Sequence, residues 1–417
     1  MILNNNKIKK DPSQEKIKFI LELLNSNKLK NAKREVRELI VKYPNSSVLF
    51  NILGAVLVGQ NEFNKGIENY KKAIKINPNY AQAYNNLGVA LHKLNKKNDA
   101  INNYKKAISL KTDFAEAYNN LGSVTQDINK PLEAQHYLEK ALQFKSNYAE
   151  AYNNLGRVYE NLGNKTEALE HFKKAININP DYAEAYNNMG LTLFDMSRFD
   201  ESILSYKKAI NLKPNYEKPY NNLGNVLSCF GKYNEAENLY HQAIKIKPDN
   251  ASAYSNLLFN YNYKTEWDSN SYLLKAKKYR LNCKSIKKKL PFQYQYEKNP
   301  KKIKLGFVSA DFGAHPGGYF TLSTLRELKN KNFDLIAYVT NERNDAISHH
   351  FKSLFLKWNL ISGKNGEEVV EQIIKDGVHI LIDAQGHSSK NRLSIFMYKP
   401  APIQATWLGQ GSTGIPE

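Results

Sequence analysis

The sequence predicts an α-solenoid of stacked helix pairs followed by a Rossmann-like α/β lobe, and three observations carry that prediction. The segment Ala-Tyr-Asn-Asn-Leu-Gly begins at Ala83, Ala117 and Ala151, then returns as Ala-Tyr-Asn-Asn-Met-Gly from Ala185 and Pro-Tyr-Asn-Asn-Leu-Gly from Pro219, always 34 residues apart. Past residue 300 this period stops, and short β-type runs alternate with helical stretches. At 417 residues with 41% hydrophobic content, the chain has apolar material for two or three packed domains.

In the repeat frame, glycines fall at Gly54, Gly88, Gly122, Gly156, Gly190 and Gly224, each preceded four residues earlier by an aromatic: Phe50, Tyr84, Tyr118, Tyr152, Tyr186 and Tyr220. Residues four apart share one helical face. Small residues follow at two further fixed offsets, Ala100 and Ala107 among them, where two antiparallel helices must approach closely. Pro44, Pro78, Pro180, Pro214 and Pro248 mark helix ends, because proline cannot continue a helix. The pattern resembles the tetratricopeptide (TPR) consensus and yields a superhelix over residues 45–258, with a degenerate leading pair over 1–44. At Leu258 the glycine is lost, which suggests a cap. Stacked pairs of this kind usually present an inner groove to a protein or peptide.

One column of asparagines, Asn86, Asn120, Asn154, Asn188, Asn222 and Asn256, lies two residues past the packing aromatic. Two residues is about 200° of helix, so these amides point away from the packing face. An amide both donates and accepts, and a ladder of them could hold an extended peptide by its backbone. Asparagine is also common at this position in TPRs at large, so a purely structural role stays open. A second column, Asn85 to Asn221, follows less readily from the consensus.

Residues 259–302 read as a basic linker with a solvated connecting helix around Tyr272 to Leu281. From Ser271 to Lys304 there are twelve Lys or Arg against the single acid Glu297. Nucleic-acid binding is not expected from this charge, because no nucleic-acid fold motif accompanies it. The net charge of +20 goes with an abundance of Lys, Asn, Ile and Tyr that codon bias alone would give. The longest apolar runs fall far below the roughly 18 residues of a membrane-spanning helix, and the first residues lack a secretory signal, so a cytoplasmic protein with no membrane partner is expected. Cys229 and Cys283 show no spacing for a zinc site or a disulfide framework.

In the last segment, strands are predicted over Ile303 to Ser309, Phe333 to Val339, Val378 to Ile382 and Ile403 to Trp407, with helices around Tyr319 to Lys329, Asp345 to Leu356 and Glu367 to Lys375. Alternation of this kind implies a parallel sheet wrapped by helices, with ligands beyond the carboxyl ends of the strands. The loops of interest are Ala310 to Gly318, Asp383 to Ser389 and Gly409 to Gly414. No P-loop or dinucleotide fingerprint is present. His349 and His350 adjoin on one helix and face different directions, so no metal site is expected there.

Three stretches in order, Lys304-Leu-Gly-Phe-Val-Ser-Ala-Asp-Phe-Gly-Ala-His-Pro316, Gly377-Val-His-Ile-Leu-Ile-Asp383 with Gly386-His387, and Lys399-Pro-Ala-Pro-Ile-Gln-Ala-Thr-Trp-Leu-Gly409, resemble the catalytic region of TPR-linked protein O-GlcNAc transferases and their SPINDLY-like relatives. The resemblance implies that residues 303–417 are the N-terminal lobe, the first half, of a GT-B type glycosyltransferase domain, with the donor-binding residues in a second lobe not contained in these 417 residues. It implies inverting, metal-independent transfer of a sugar from a nucleotide sugar to Ser or Thr of a protein held along the asparagine ladder. No cofactor is expected; UDP-GlcNAc or another nucleotide sugar is the substrate. His315 matches the family's active-site histidine, where it could act as base or hydrogen-bond partner. Asp311, Asp383 and His387 are possible accessory groups, with loop capping as the competing role. Tyr319-Phe320 and Gly386-His387 look closer to the SPINDLY-like branch, which leaves GDP-fucose as an alternative donor. Gln410-Gly411 departs from the family's usual Tyr-Pro. The chain is expected to be inactive alone; the alternative is a non-catalytic TPR adaptor.

Overall fold

A computed structural model describes residues 11–264, 268–282, 297, 299–331, 333–386 and 391–407. The chain divides into two compact units, Met1–Thr192 and Leu193–Glu417.

The first unit is a stack of helix hairpins. After a leading pair, Gln14–Asn25 and Leu29–Lys42, each repeat sets a 13-residue first helix (Ser47–Gly59, Ala81–Lys93, Ala115–Asp127, Ala149–Asn161) against a 14-residue second helix (Phe63–Ile76, Lys97–Leu110, Pro131–Phe144, Lys165–Ile178). The repeat glycines exist for close approach. A Cβ built on Gly88 would stand 2.6 Å from the Tyr104 ring, and one on Gly156 would stand 2.6 Å from that of Phe172. The side chain that fills these notches comes from the second helix of the same repeat, an aromatic ring opposite Gly88 and Gly156 and Leu138 opposite Gly122. Tyr84, Tyr118 and Tyr152, which share the glycine's helix, are only half-buried.

The second unit continues the pattern with Phe199–Leu212, Glu217–Cys229, Tyr233–Ile246 and Ala251–Tyr261, then Ser269–Asn282. This last helix is not a solvated connector. Tyr272 and Ala276, one turn apart, are buried in one core with Tyr254 and Leu258 of the preceding helix and with Val308, Ile336, Val369 and Ile373 of the α/β region. Glu237 ties the same corner together through Lys264 and Lys275, at 2.5 and 3.0 Å. The dense lysine pattern hid this apolar stripe in the sequence.

The sheet is parallel throughout, in the order β3-β2-β1-β4-β5, with β1 Ile303–Ser309, β2 Phe333–Val339, β3 Lys357–Leu360, β4 Ile380–Asp383 and β5 Ile403–Thr406. Strand β3 was not among the predicted strands: it is four residues long, carries Lys357 and Asn359, and lies at the sheet edge, so it shows no apolar run. Helices Pro316–Lys329, Ala346–Leu354 and Gly366–Asp376 connect the strands. Buried Asp376 binds β2 and β3 by accepting from the Tyr338 hydroxyl (2.8 Å), Lys357 (2.6 Å) and Asn359 (3.2 Å). Burial, with the Asp376 charge beside it, pushes the Tyr338 phenol far above its usual pKa, so it stays a donor.

Candidate functional site

In the sheet order the chain leaves β1 toward β2 on one side and later returns to β4 on the other, so the β1/β4 boundary is the topological switch point where such sheets bind ligands. The loop after β1 carries Asp311 and His315; Asp383 ends β4, and the loop after it carries Gln385 and Gly386. The two loops are tied by the amide of Ala310, which donates to Oε1 of buried Gln385 at 3.0 Å.

His315 is the N-cap of helix Pro316–Lys329. Its Nδ1 accepts from the Gly317 amide at 3.2 Å, satisfying one of the helix's orphan donors. Asp311 Oδ1 lies 3.4 Å from the same nitrogen. A nitrogen that accepts has no proton, so the neutral ring carries its hydrogen on Nε2. The side chain keeps 40% of its surface exposed, enough to meet a ligand.

The loop that presents this ring is held from a distance in sequence. Asp345 accepts from the Ala314 amide through Oδ2 at 3.0 Å and from the Ser348 amide through Oδ1 at 2.7 Å, so one carboxylate caps its own helix and pins the histidine loop. Those amides, Ala314 first, hold the Asp345 carboxyl below the usual carboxylate range. Arg343 Nε adds a bond to the Ala310 carbonyl at 3.3 Å. Neither residue was a predicted site residue. The Asp345-x-x-Ser348 capping box was the available signal, but it announces a helix start and says nothing of the loop it also holds.

Asp383 is buried, and its two oxygens accept from the amides of Gln385 (3.2 Å) and Gly386 (2.9 Å). These bonds shape the loop after β4. His387 and the loop Gly409 to Gly414 lie outside the described residues.

On the solenoid, the two asparagine columns are joined. Asn86, Asn120, Asn154 and Asn188 donate through Nδ2 to Oδ1 of Asn51, Asn85, Asn119 and Asn153, one repeat earlier, at 3.0, 3.0, 2.9 and 2.9 Å. In the second unit Asn256 donates to Asn221 at 3.0 Å. Asn222 is half-buried at the same repeat position.

Residues 274–415 match the family described as Glycosyl transferase family 41, and tetratricopeptide-repeat families match 54–95, 91–127, 114–145, 149–182, 171–203, 190–228 and 231–257. A probable UDP-N-acetylglucosamine–peptide N-acetylglucosaminyltransferase SPINDLY of Oryza sativa subsp. japonica is 34% identical over 137 residues, covering 31% of this chain and 15% of the relative. A UDP-N-acetylglucosamine–peptide N-acetylglucosaminyltransferase of Caenorhabditis elegans is 32% identical over 121 residues, 28% of this chain and 10% of that one. Residues 274–415 thus belong to glycosyl transferase family 41 behind a run of tetratricopeptide repeats, an arrangement similar to that of the TPR-containing O-GlcNAc transferases and SPINDLY-like proteins. Among solved structures, a mutant O-GlcNAc transferase of Thermobaculum terrenum shares the fold at a TM-score of 0.57 and 24% identity, covering 64% of this chain and 52% of that one. The aligned region is thus a small part of the curated relatives' length. The histidine loop and both strand-end loops lie within the stretch matched to glycosyl transferase family 41. No helix among the described residues is long and apolar enough to cross a membrane.

Proposed function

We propose that this chain is the acceptor-side part of a protein O-glycosyltransferase. A substrate protein held by the asparagine ladder offers a Ser or Thr hydroxyl that attacks the anomeric carbon of a nucleotide sugar with inversion and without a metal, with His315 beside the reacting oxygens. The bond from that carbon to the nucleoside diphosphate breaks as the new C–O bond forms, and the hydroxyl proton leaves with the diphosphate. The observation that carries the reading is the His315 ring at the β1/β4 switch point, capping a helix through Nδ1. With Nδ1 spent on Gly317 and the proton on Nε2, the neutral ring has no open lone pair for taking a proton. Its role is donation: Nε2–H supports an oxygen of the acceptor or sugar, and the positive end of the helix dipole favours negative charge nearby. Asp311 Oδ1, 3.4 Å from Nδ1, lies on the side of the ring away from Nε2. UDP-GlcNAc is the donor the family resemblance favours, with GDP-fucose as the alternative.

The test pairs two measurements on the 417-residue chain: calorimetric binding of a Ser/Thr-containing peptide, and transfer from radiolabelled UDP-GlcNAc or GDP-fucose. Peptide binding without turnover is the expected pattern. Turnover with either sugar removes the acceptor-side restriction and identifies the donor. Neither binding nor turnover rejects the reading.

A further inference from the structure

In the first unit the second asparagine column is buried: Asn85, Asn119 and Asn153 keep 4%, 6% and 4% of their surface. A buried amide needs its bonds; within a repeat Asn85 and Asn187 donate to the ladder oxygens of Asn86 and Asn188, and between repeats the bonds run the other way. In five rungs the ladder asparagine gives a hydrogen and the second-column asparagine of the preceding repeat, buried in four of them and half-buried at Asn221, gives Oδ1. At its other end Asn119 is hydrogen-bonded to the Tyr148 hydroxyl, which sits at the start of the following repeat.

This one-way pattern has a consequence for what the ladder can hold. Turning the Asn154 amide over would set its Oδ1 against Asn119 Oδ1, placing two lone-pair groups together and leaving a buried acceptor without its donor. Each ladder amide therefore keeps a fixed order of acceptor and donor ends. An extended peptide also presents its N–H and C=O groups in a fixed order, and reversing the chain exchanges them. An amide that accepts from N–H and donates to C=O fits one chain direction; the opposite direction needs the amide turned over.

We infer that the buried asparagine column sets the polarity of the ladder and thereby admits an extended protein segment in a single amino-to-carboxyl direction. This rests on the ladder being the peptide-binding surface. Asn85, Asn119 and Asn153 are then positioning residues: they touch no peptide, and they decide which way it runs.

The experiment uses the full chain with asparagine side-chain amides labelled with nitrogen-15, and a synthetic extended Ala/Ser/Thr peptide carrying a nitroxide at either its amino or its carboxyl end. The expected result is reciprocal broadening: one peptide end broadens the amide of Asn86, the other that of Asn188, and moving the nitroxide exchanges them. Equal broadening of both amides from either end overturns the directional proposal while leaving peptide binding intact. No perturbation of any ladder amide sinks the binding reading and the proposal with it. In Asn119→Ala the one-ended pattern at Asn154 should be lost; Asn119→Asp, which keeps the acceptor, should restore it. Reciprocal broadening undiminished in Asn119→Ala would remove the buried column from the mechanism.

Discussion

At the scale of single residues, the histidine loop depends on one glycine. A Cβ on Gly318 would stand 2.6 Å from the Asp311 carbonyl oxygen and closer still to that of Gly313, so backbone lies against backbone where helix Pro316–Lys329 begins. Neither carbonyl can yield without moving the loop, because Gly313 is itself wedged against Arg343 and Asp345. Gly318→Ala gains about 1 kcal/mol of helix propensity and should still lose roughly 1–3 kcal/mol net from overpacking. Hydrogen exchange of the Ala314 and Gly317 amides should accelerate accordingly. Gly317→Ala is the contrast, since its Cβ first meets the movable His315 ring at 3.3 Å; exchange at Ala314 should change little there. Equal effects of the two substitutions would refute this account. His315 and Asp311 were legible in the sequence because they sit in one contiguous motif. Asp345, Arg343 and Gln385 were not, because parallel pairing of β1 with β2 and β4 brings them in from 31 to 75 residues away.

At the scale of elements, the 34-residue period made the hairpins readable, since glycine and aromatic recur on one helix face. The partner of each glycine was harder to see: Tyr70, Tyr104, Phe172 and Tyr240 meet it across the hairpin, and Leu138 takes the same place opposite Gly122. Hairpin-to-hairpin contacts add a pH dependence at the amino end. Glu62, at the start of helix Phe63–Ile76, accepts from Lys33 of the leading pair at 2.6 Å and from Lys65 at 2.6 Å. These bonds, Lys33 first, lower its pKa from 4.5 to about 2. A carboxylate depressed by folding contributes stability above its unfolded pKa and loses it as pH falls through the folded value. Exchange protection in helix Leu29–Lys42 should therefore decline between about pH 4.5 and about pH 2. In Glu62→Gln that component of the decline should vanish, and an unchanged profile in the variant would assign the acid sensitivity elsewhere.

At the scale of the whole molecule, the junction of repeat and sheet within the second unit is a packed core. Leu258 takes the place of the repeat glycine, and the sequence suggested only a cap. Its side chain has 0% exposure and belongs to one cluster with Tyr272, Ile336, Tyr338, Val369 and Ile373. A glycine there would leave the sheet-side residues without a partner, whereas a leucine merges the end of the repeat array with the α/β lobe. Elements that share a core open together, because losing one face exposes the other. Leu258→Ala should cost about 2–5 kcal/mol through lost burial and the remaining cavity. The loss should appear as the same drop in exchange stability in helix Ala251–Tyr261 and in β2, though Leu258 lies in neither strand nor lobe helix. A drop confined to the repeat helices would show that the solenoid end and the lobe fold independently. A shared drop would mean that any force on the last repeats reaches the strands that present His315.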